Sequence, residues 1–274
     1  MAAAAASSSA GIVTIIDVDC EKWVVECLGA NEEFKRLVPT MPWNTLVDTI
    51  MGRLHASGRT LRDVADVLRT APLDPHVVAA VKACHAVGCD LRILSDANRF
   101  FIDAILDHHG LRGYFSEVVT NPSRVDDGSR LRIEPYHDFR AGSHGCWVGT
   151  CPPNLCKGQV LDCIRASVVA AAGKRHRLIY LGDGRGDYCP SLRLGPEDFV
   201  MPRKGFPVWD LICEDRARLQ AEVHPWRDGA EMEKTLLRLV GRVLVEEGGK
   251  LPPPLEPLPV SVHDGVPMEL RINN

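Results

Sequence analysis

A chain of 274 residues, 45% hydrophobic and 25% charged, is long enough to bury a core as one large domain or as a core domain carrying a smaller one. Its net charge of −4 excludes a global basic field that would point to nucleic acid or an anionic membrane surface. No apolar run approaches the ~18 residues that a membrane span needs, and MAAAAASSSA lacks the basic region and long apolar stretch of a secretory signal. The ten cysteines are therefore expected as reduced thiols of a cytoplasmic protein.

Residues 1–10 are of low complexity and read as a disordered leader. IVTII, 12–16, is a β-branched run that predicts a buried strand. Residues 30–75 read as helical, with Thr60 as an N-cap and Leu61, Val64, Val67 and Leu68 at helical spacing. Pro75 opens a further helix that closes at Gly88. CDLRIL, 89–94, predicts a strand, NRFFIDAILDHHG a helix, and 115–120 another strand. Residues 121–156 are rich in Gly, Pro, Cys and His and read as irregular. A helix from Lys157, a strand ending at Asp183, a short strand in DFVMPR and a helix over 226–248 follow, then a Pro-rich tail over 249–274.

Strands alternate with helices, and the apolar strands run into polar turns. That order predicts an α/β fold with a doubly wound parallel sheet. Ligands bind beyond the carboxyl ends of such strands. Asp17 and Asp19, Ser95 and Asp96, and Asp183 and Asp187 all fall at such ends.

Asp183 and Asp187 flank two glycines in YLGDGRGDYCP. Paired carboxylates in a tight loop suit Mg²⁺, which takes one or two carboxylates plus water and phosphate oxygens; a solvated Gly-Asp turn is the plainer alternative. Ser95 can hold a phosphate oxygen or simply cap the next helix. Lys157 stands at a helix start, where a cation opposes the helix dipole, so an anion must compensate it or the side chain must reach water.

The order Asp-x-Asp, Ser after a strand, Lys at a helix start and Gly-Asp-x₃-Asp resembles the haloacid dehalogenase-like phosphatases. The motifs IIDVD…WVVECLG, ILSDANRFFI, EPYHDF, GTCPPNLCKG, YLGDGRGDYCPSL and DFVMPRKGFPVWDLI are similar to those of the phosphoethanolamine/phosphocholine phosphatase group. That group includes plant thiamine monophosphate phosphatase-like proteins and relatives described as inorganic pyrophosphatases. The resemblance spans about residues 11–240. It implies a core over 11–20 and 76–248, with a small helical cap over 21–75 inserted after the first strand. It also implies a Mg²⁺-dependent phosphatase working through an aspartyl-phosphate. Ser95 and Lys157 would steady the phosphoryl oxygens and Asp183 and Asp187 would hold Mg²⁺. Asp96 and Asn98 would line the substrate pocket, and the cap would select the leaving group. The substrate would be a small phosphorylated metabolite, thiamine monophosphate first, with phosphoethanolamine, phosphocholine and pyrophosphate open.

The first motif departs from the group's pattern. There, Asp-Phe-Asp-x-Thr precedes Ile-Ile-Asp-x-Asp and Trp-Val-Val; here GIVTIIDVDCEKWVV stands alone. Aligned through Trp23, Thr14 takes the threonine and both catalytic aspartates are missing. In the other register Asp17 is the nucleophile and a metal ligand, Asp19 is the acid/base, and Glu21 replaces a hydroxyl with an anion that repels phosphate. The first register implies a binding protein with the same fold and no turnover.

Cys146, Cys151 and Cys156, with His137 and His144 near, raise a zinc site. Their C-x₄-C-x₄-C spacing lacks the paired C-x₂-C of common structural sites, so reduced thiols in an ordered loop are expected. Trp43, in MPWNT, is a core residue or a platform for a cationic substrate ring.

Overall fold

In the computed structural model, which describes residues 8–12, 19–173 and 176–246, strand and helix alternate as the apolar runs predict. Strand β1 (Ser8–Ile12) leads into four helices: α1 (Cys20–Cys27), α2 (Asn31–Leu37), α3 (Trp43–Ala56) and α4 (Leu61–Arg69). Helix α5 (Pro75–Ala86), β2 (Cys89–Asn98), α6 (Arg99–His108) and β3 (Glu117–Asn121) follow, then a hairpin of β4 (Ser123–Val125) and β5 (Leu131–Ile133). The chain continues through α7 (Lys157–Ala172), β6 (Leu178–Gly182), α8 (Tyr188–Ser191), β7 (Phe199–Pro202), α9 (Pro207–Glu214), β8 (Glu222–Val223) and α10 (Gly229–Glu246).

Six strands pair in parallel in the order β3-β2-β1-β6-β7-β8. The reversal of direction at β1 puts crossover helices on both faces, which makes the sheet doubly wound. Side-chain alternation along the strands feeds two cores. Ile179, Leu181, Phe199 and Met201 pack toward α5 and α10. Leu178, Tyr180 and Val200 pack toward α7 and α9, against Leu161, Ile164 and Ile212.

A third core joins the helices α1 to α4. Val24, Val25, Leu46, Ile50, Val64 and Leu68 meet Phe101 and Ile105 of α6 and Leu131 and Ile133 of the hairpin. Asp48 of α3 clamps that hairpin: its carboxylate accepts from Arg130 at 3.0 Å, from Arg132 at 3.1 Å and from the Ile133 N–H at 2.9 Å. Thr60 caps α4 as expected, and Asp63 returns a bond to the Thr60 N–H at 2.7 Å, a capping box worth about 1 kcal/mol.

Three expectations change. The central strand begins at Ser8, inside the segment read as leader; of the run 12–16 only Ile12 lies among the described residues. The stretch 121–156 is not wholly irregular, because β4 and β5 form an antiparallel hairpin within it. Pro207 opens α9, which hydrophobic spacing alone did not suggest. The Pro-rich tail over 249–274 lies outside the described residues. Among the described residues no helix is long and apolar enough to cross a membrane.

Candidate active site

The carboxyl ends of β2 and β6, the two neighbours of β1, carry the chemistry. Pairing of β2 with β3 runs to Leu94↔Val119 and resumes at Asn98↔Asn121. Four residues on β2 therefore span two on β3, and Ser95, Asp96 and Ala97 swell out of the ladder into a cavity of about 620 Å³. Asn121 holds this bulge: its Nδ2 donates to Asp96 O at 2.6 Å and Ala97 O at 2.8 Å. Its Oδ1 accepts from Asn154 Nδ2 at 3.1 Å, so the loop before α7 braces the same bulge. The Ser95 hydroxyl oxygen accepts from the Ala97 N–H at 3.2 Å, which leaves its proton to donate into the cavity.

Asp187 is the hub of the opposite wall. It is 1% exposed. Its Oδ1 accepts from Lys157 Nζ at 2.9 Å and Tyr180 Oη at 2.6 Å, and its Oδ2 from the N–H groups of Asp183 at 3.1 Å and Gly184 at 2.9 Å. Each oxygen thus has two donors, and the carboxylate is saturated. Gly182 makes this fit possible, since a Cβ there would stand 2.5 Å from the Asp187 Cβ. Lys157, at the first turn of α7, is buried against Asp187 and lies 3.6 Å from Asp96. Burial works against its charge, but Asp187, Asp96 and Asp183 outweigh it, so its pKa is raised and the ammonium persists. The anion that Lys157 requires is in place.

Asp183 differs. Its carboxylate makes no hydrogen bond or ion pair to a described residue, and burial followed by repulsion from Asp187 pushes its pKa up to about 6. A half-buried carboxylate with free lone pairs beside a second carboxylate is an oxygen donor set suited to a hard cation such as Mg²⁺.

The remaining wall comes from the helical layer. Asp19, Cys20, Glu21 and Lys22 of the α1 start and Trp43 of α3 line the cavity together with Ile102 and Phe206. Asp19 is the N-cap of α1; it accepts from the N–H groups of Glu21 and Lys22, both at 3.1 Å, and pairs with Lys22 Nζ at 3.2 Å. Glu21 is buried and accepts from the indole N–H of Trp43. Burial, then Asp19, then Asp96 push its pKa well above the usual carboxylate range, the Trp43 bond offsetting them only in part. Glu21 lines the cavity, and this direction favours its protonated form and weakens the expected repulsion of phosphate. The ring of Trp43 packs edge-on against Phe34 at 5.4 Å and carries Lys22 Nζ 5.4 Å from its centroid.

The state of Glu21 sets a sign for pH dependence. An unfolded glutamate titrates near ~4.3, while the folded pKa is raised. The resulting stability is whole below that value and is lost as pH rises through the folded pKa. Glu21→Gln removes this loss. The difference in Tm between Glu21→Gln and wild type is expected to grow in favour of the variant from pH 5 to pH 8, read by calorimetry; a constant difference would show that Glu21 ionises normally.

Ser95, Asp96, Lys157, Asp183, Asp19 and Trp43 thus line one cavity, with Asp187 behind it. Asn98 does not: it is fully buried and caps α6, its side chain accepting from the Phe101 N–H at 3.1 Å. Asp17 lies outside the described residues, and the described part of β1, Ser-Ser-Ala-Gly-Ile, holds no carboxylate. Sequence reasoning missed Tyr180, Asn121 and Asn154 as supports. The N–x–C–K run before Lys157 was their visible signal, one that only the fold ties to β3.

Comparison with known proteins agrees with this geometry. The family described as Putative Phosphatase matches residues 13–240. The chain is 51% identical to Inorganic pyrophosphatase 1 of Arabidopsis thaliana, over 85% of this chain and 79% of that protein. It is 46% identical to the Thiamine phosphate phosphatase-like protein of the same plant, over 85% of this chain and 94% of the relative. Among solved structures, a probable phosphoserine phosphatase from Vibrio cholerae superposes with a TM-score of 0.55 at 16% identity, covering 88% of this chain and 67% of that one. At that identity it attests the fold.

Proposed function

The chain belongs to the Putative Phosphatase family and is a phosphoric monoester hydrolase of the haloacid dehalogenase type; from that premise we propose that it hydrolyses a small organic phosphomonoester with a flat, cationic leaving group, thiamine monophosphate first, using Mg²⁺. The observation that carries the leaving-group reading is the cavity wall. A volume of about 620 Å³ accommodates an organic substrate. Its lining combines Trp43, Ile102 and Phe206 with the Asp19 carboxylate, and the Trp43 ring already holds one cation on its face.

In this mechanism Asp17 attacks phosphorus and the ester P–O bond breaks. Lys157 Nζ and the Ser95 hydroxyl hold the phosphoryl oxygens as charge builds on them. The leaving oxygen takes its proton from Glu21, the neutral acid of the cavity; the resulting carboxylate then receives a proton from the water that cleaves the aspartyl-phosphate. Asp19, engaged as a helix cap and ion pair, keeps Glu21 and Lys22 in place. Asp183, with Asp17, would hold Mg²⁺, while the saturated Asp187 positions Lys157 and the loop. When bound, Mg²⁺ neutralises charge on the phosphoryl group.

A second reading, pyrophosphate as substrate, is favoured by the cations Lys22 and Arg185 in the lining of the same cavity and by relatives named for that activity. Phosphate release from thiamine monophosphate, phosphocholine, phosphoethanolamine and pyrophosphate, with Mg²⁺ and with excess EDTA, decides between them. The expected result is the highest kcat/KM for thiamine monophosphate and no turnover in EDTA. A lead for pyrophosphate would replace the leaving-group reading, and no release from any of the four would overturn the enzyme.

A further inference from the structure

Four cysteines converge beside the active site. The sulfurs of Cys146, Cys151, Cys156 and Cys189 all lie within 4.8 Å of one another. Cys146 is 3.5 Å from Cys189 and 3.5 Å from Cys151; Cys151 is 3.6 Å from Cys156, and Cys156 is 3.8 Å from Cys189. All are free thiols. Four sulfurs bound at ~2.3 Å to one tetrahedral Zn²⁺ stand about 3.8 Å apart. The observed spacings lie close to that figure. An iron–sulfur cluster shares its four cysteines among two or four irons, so all four sulfurs cannot lie this close to one another.

The surroundings fit a thiolate site. Arg193 Nη2 lies 4.0 Å from the Cys146 sulfur, a cation beside what would be a net negative centre. A Cβ on Gly158 would stand 2.4 Å from the Cys189 sulfur and 2.5 Å from Arg193 Nε, so glycine there admits both. His144, the histidine that the sequence offered, is spent on its own loop: Nδ1 accepts from the Cys146 N–H at 3.2 Å and Nε2 lies 3.1 Å from Pro152 O. The fourth ligand is instead Cys189, 33 residues beyond Cys156 in the chain.

We propose that Cys146, Cys151, Cys156 and Cys189 bind one structural Zn²⁺ that staples the loop before α7 to α8. Its placement gives it a task. Cys156 immediately precedes Lys157, and Cys189 follows Asp187 by two residues. The staple therefore fixes from behind the Lys157–Asp187 pair that faces the cavity. The segment between Ile133 and Lys157 has no regular helix or strand of its own; a loop of that length is uncommon without a constraint, and a closed metal site supplies one.

The full-length protein, expressed with zinc in the medium and dialysed, is expected to retain about one zinc per chain by elemental analysis. A mercurial reagent should release that zinc as the thiols react. Growth in cobalt should give the visible absorption of a tetrahedral tetrathiolate. Cys189→Ser should lose the zinc, whereas Cys163→Ser, at an exposed cysteine outside the cluster, and Asp183→Asn should keep it. Retention in Asp183→Asn separates this site from the phosphatase site. If Cys189→Ser fails to fold, the mercurial and cobalt readouts on wild type stand alone. Absence of bound metal, iron in place of zinc, or disulfides among the four would overturn the proposal.

Discussion

Asp17→Asn lowers kcat by about 10³-fold or more, the order of loss seen when a nucleophile is removed from a covalent catalyst. The expectation follows from the mechanism proposed above, and the described carboxylates around the cavity are otherwise engaged. Asp19 spends its oxygens on the α1 cap and Lys22. Burial and Asp19 favour the protonated form of Glu21. Asp96 sits at the edge, half exposed and turned to Lys157. Asp187 is saturated by four donors, and Asp183 has the free lone pairs suited to the metal. The described residues of β1 offer no acid. Asp17, five residues beyond Ile12 in the chain, is the nucleophile of the mechanism proposed above. An amide of the same shape lacks the anionic oxygen. Steady-state kcat with Mg²⁺, together with trapping of a phosphorylated chain in wild type and its loss in the variant, tests this. Undiminished turnover in Asp17→Asn would remove the residue from the reaction.

Lys157→Met is expected to have two separable effects. It deletes the charged donor to the phosphoryl oxygens, a loss on the order of 10²–10³ in kcat. It also leaves Asp187 buried without its cation, and breaking a buried pair from one side costs about 3–5 kcal/mol. Lys157→Met with Asp187→Asn removes the stranded charge, so stability returns in large part while activity does not. Denaturant midpoints and kcat for the single and double variants measure both. Equal stability of wild type and Lys157→Met would show that the pair is not the buried link described here.

Much of the sheet and the Ser95, Lys157 and Asp183 positions were legible, because long apolar runs punctuated by glycine and acid report strand ends directly. The central strand was not. Of IVTII only Ile12 lies among the described residues; Ser-Ser-Ala-Gly-Ile has little β propensity, yet it pairs with β2 and β6 on both sides, since backbone bonding between two strong strands does not need propensity. The hairpin of β4 and β5 was hidden by its shortness and by strands that depend on Asp48, far away in the chain. The burial that raises the pKa of Glu21 is invisible in a linear motif. Cys189 was missed for a related reason: local spacing links Cys146, Cys151 and Cys156, but only the meeting of Lys157 with Asp187 brings the residues beside them together.

The third hydrophobic core has a mechanical consequence. Val24, Leu46 and Leu68 of the helical layer share their interior with Phe101 and Ile105 of α6. Helix α6 starts at Arg99, directly after the bulge that carries Ser95 and Asp96. A lid that swung open as a rigid flap would have to tear this common interior or drag α6 with it. The layer proposed to read the leaving group and the bulge proposed to grip the phosphate are thus geared together.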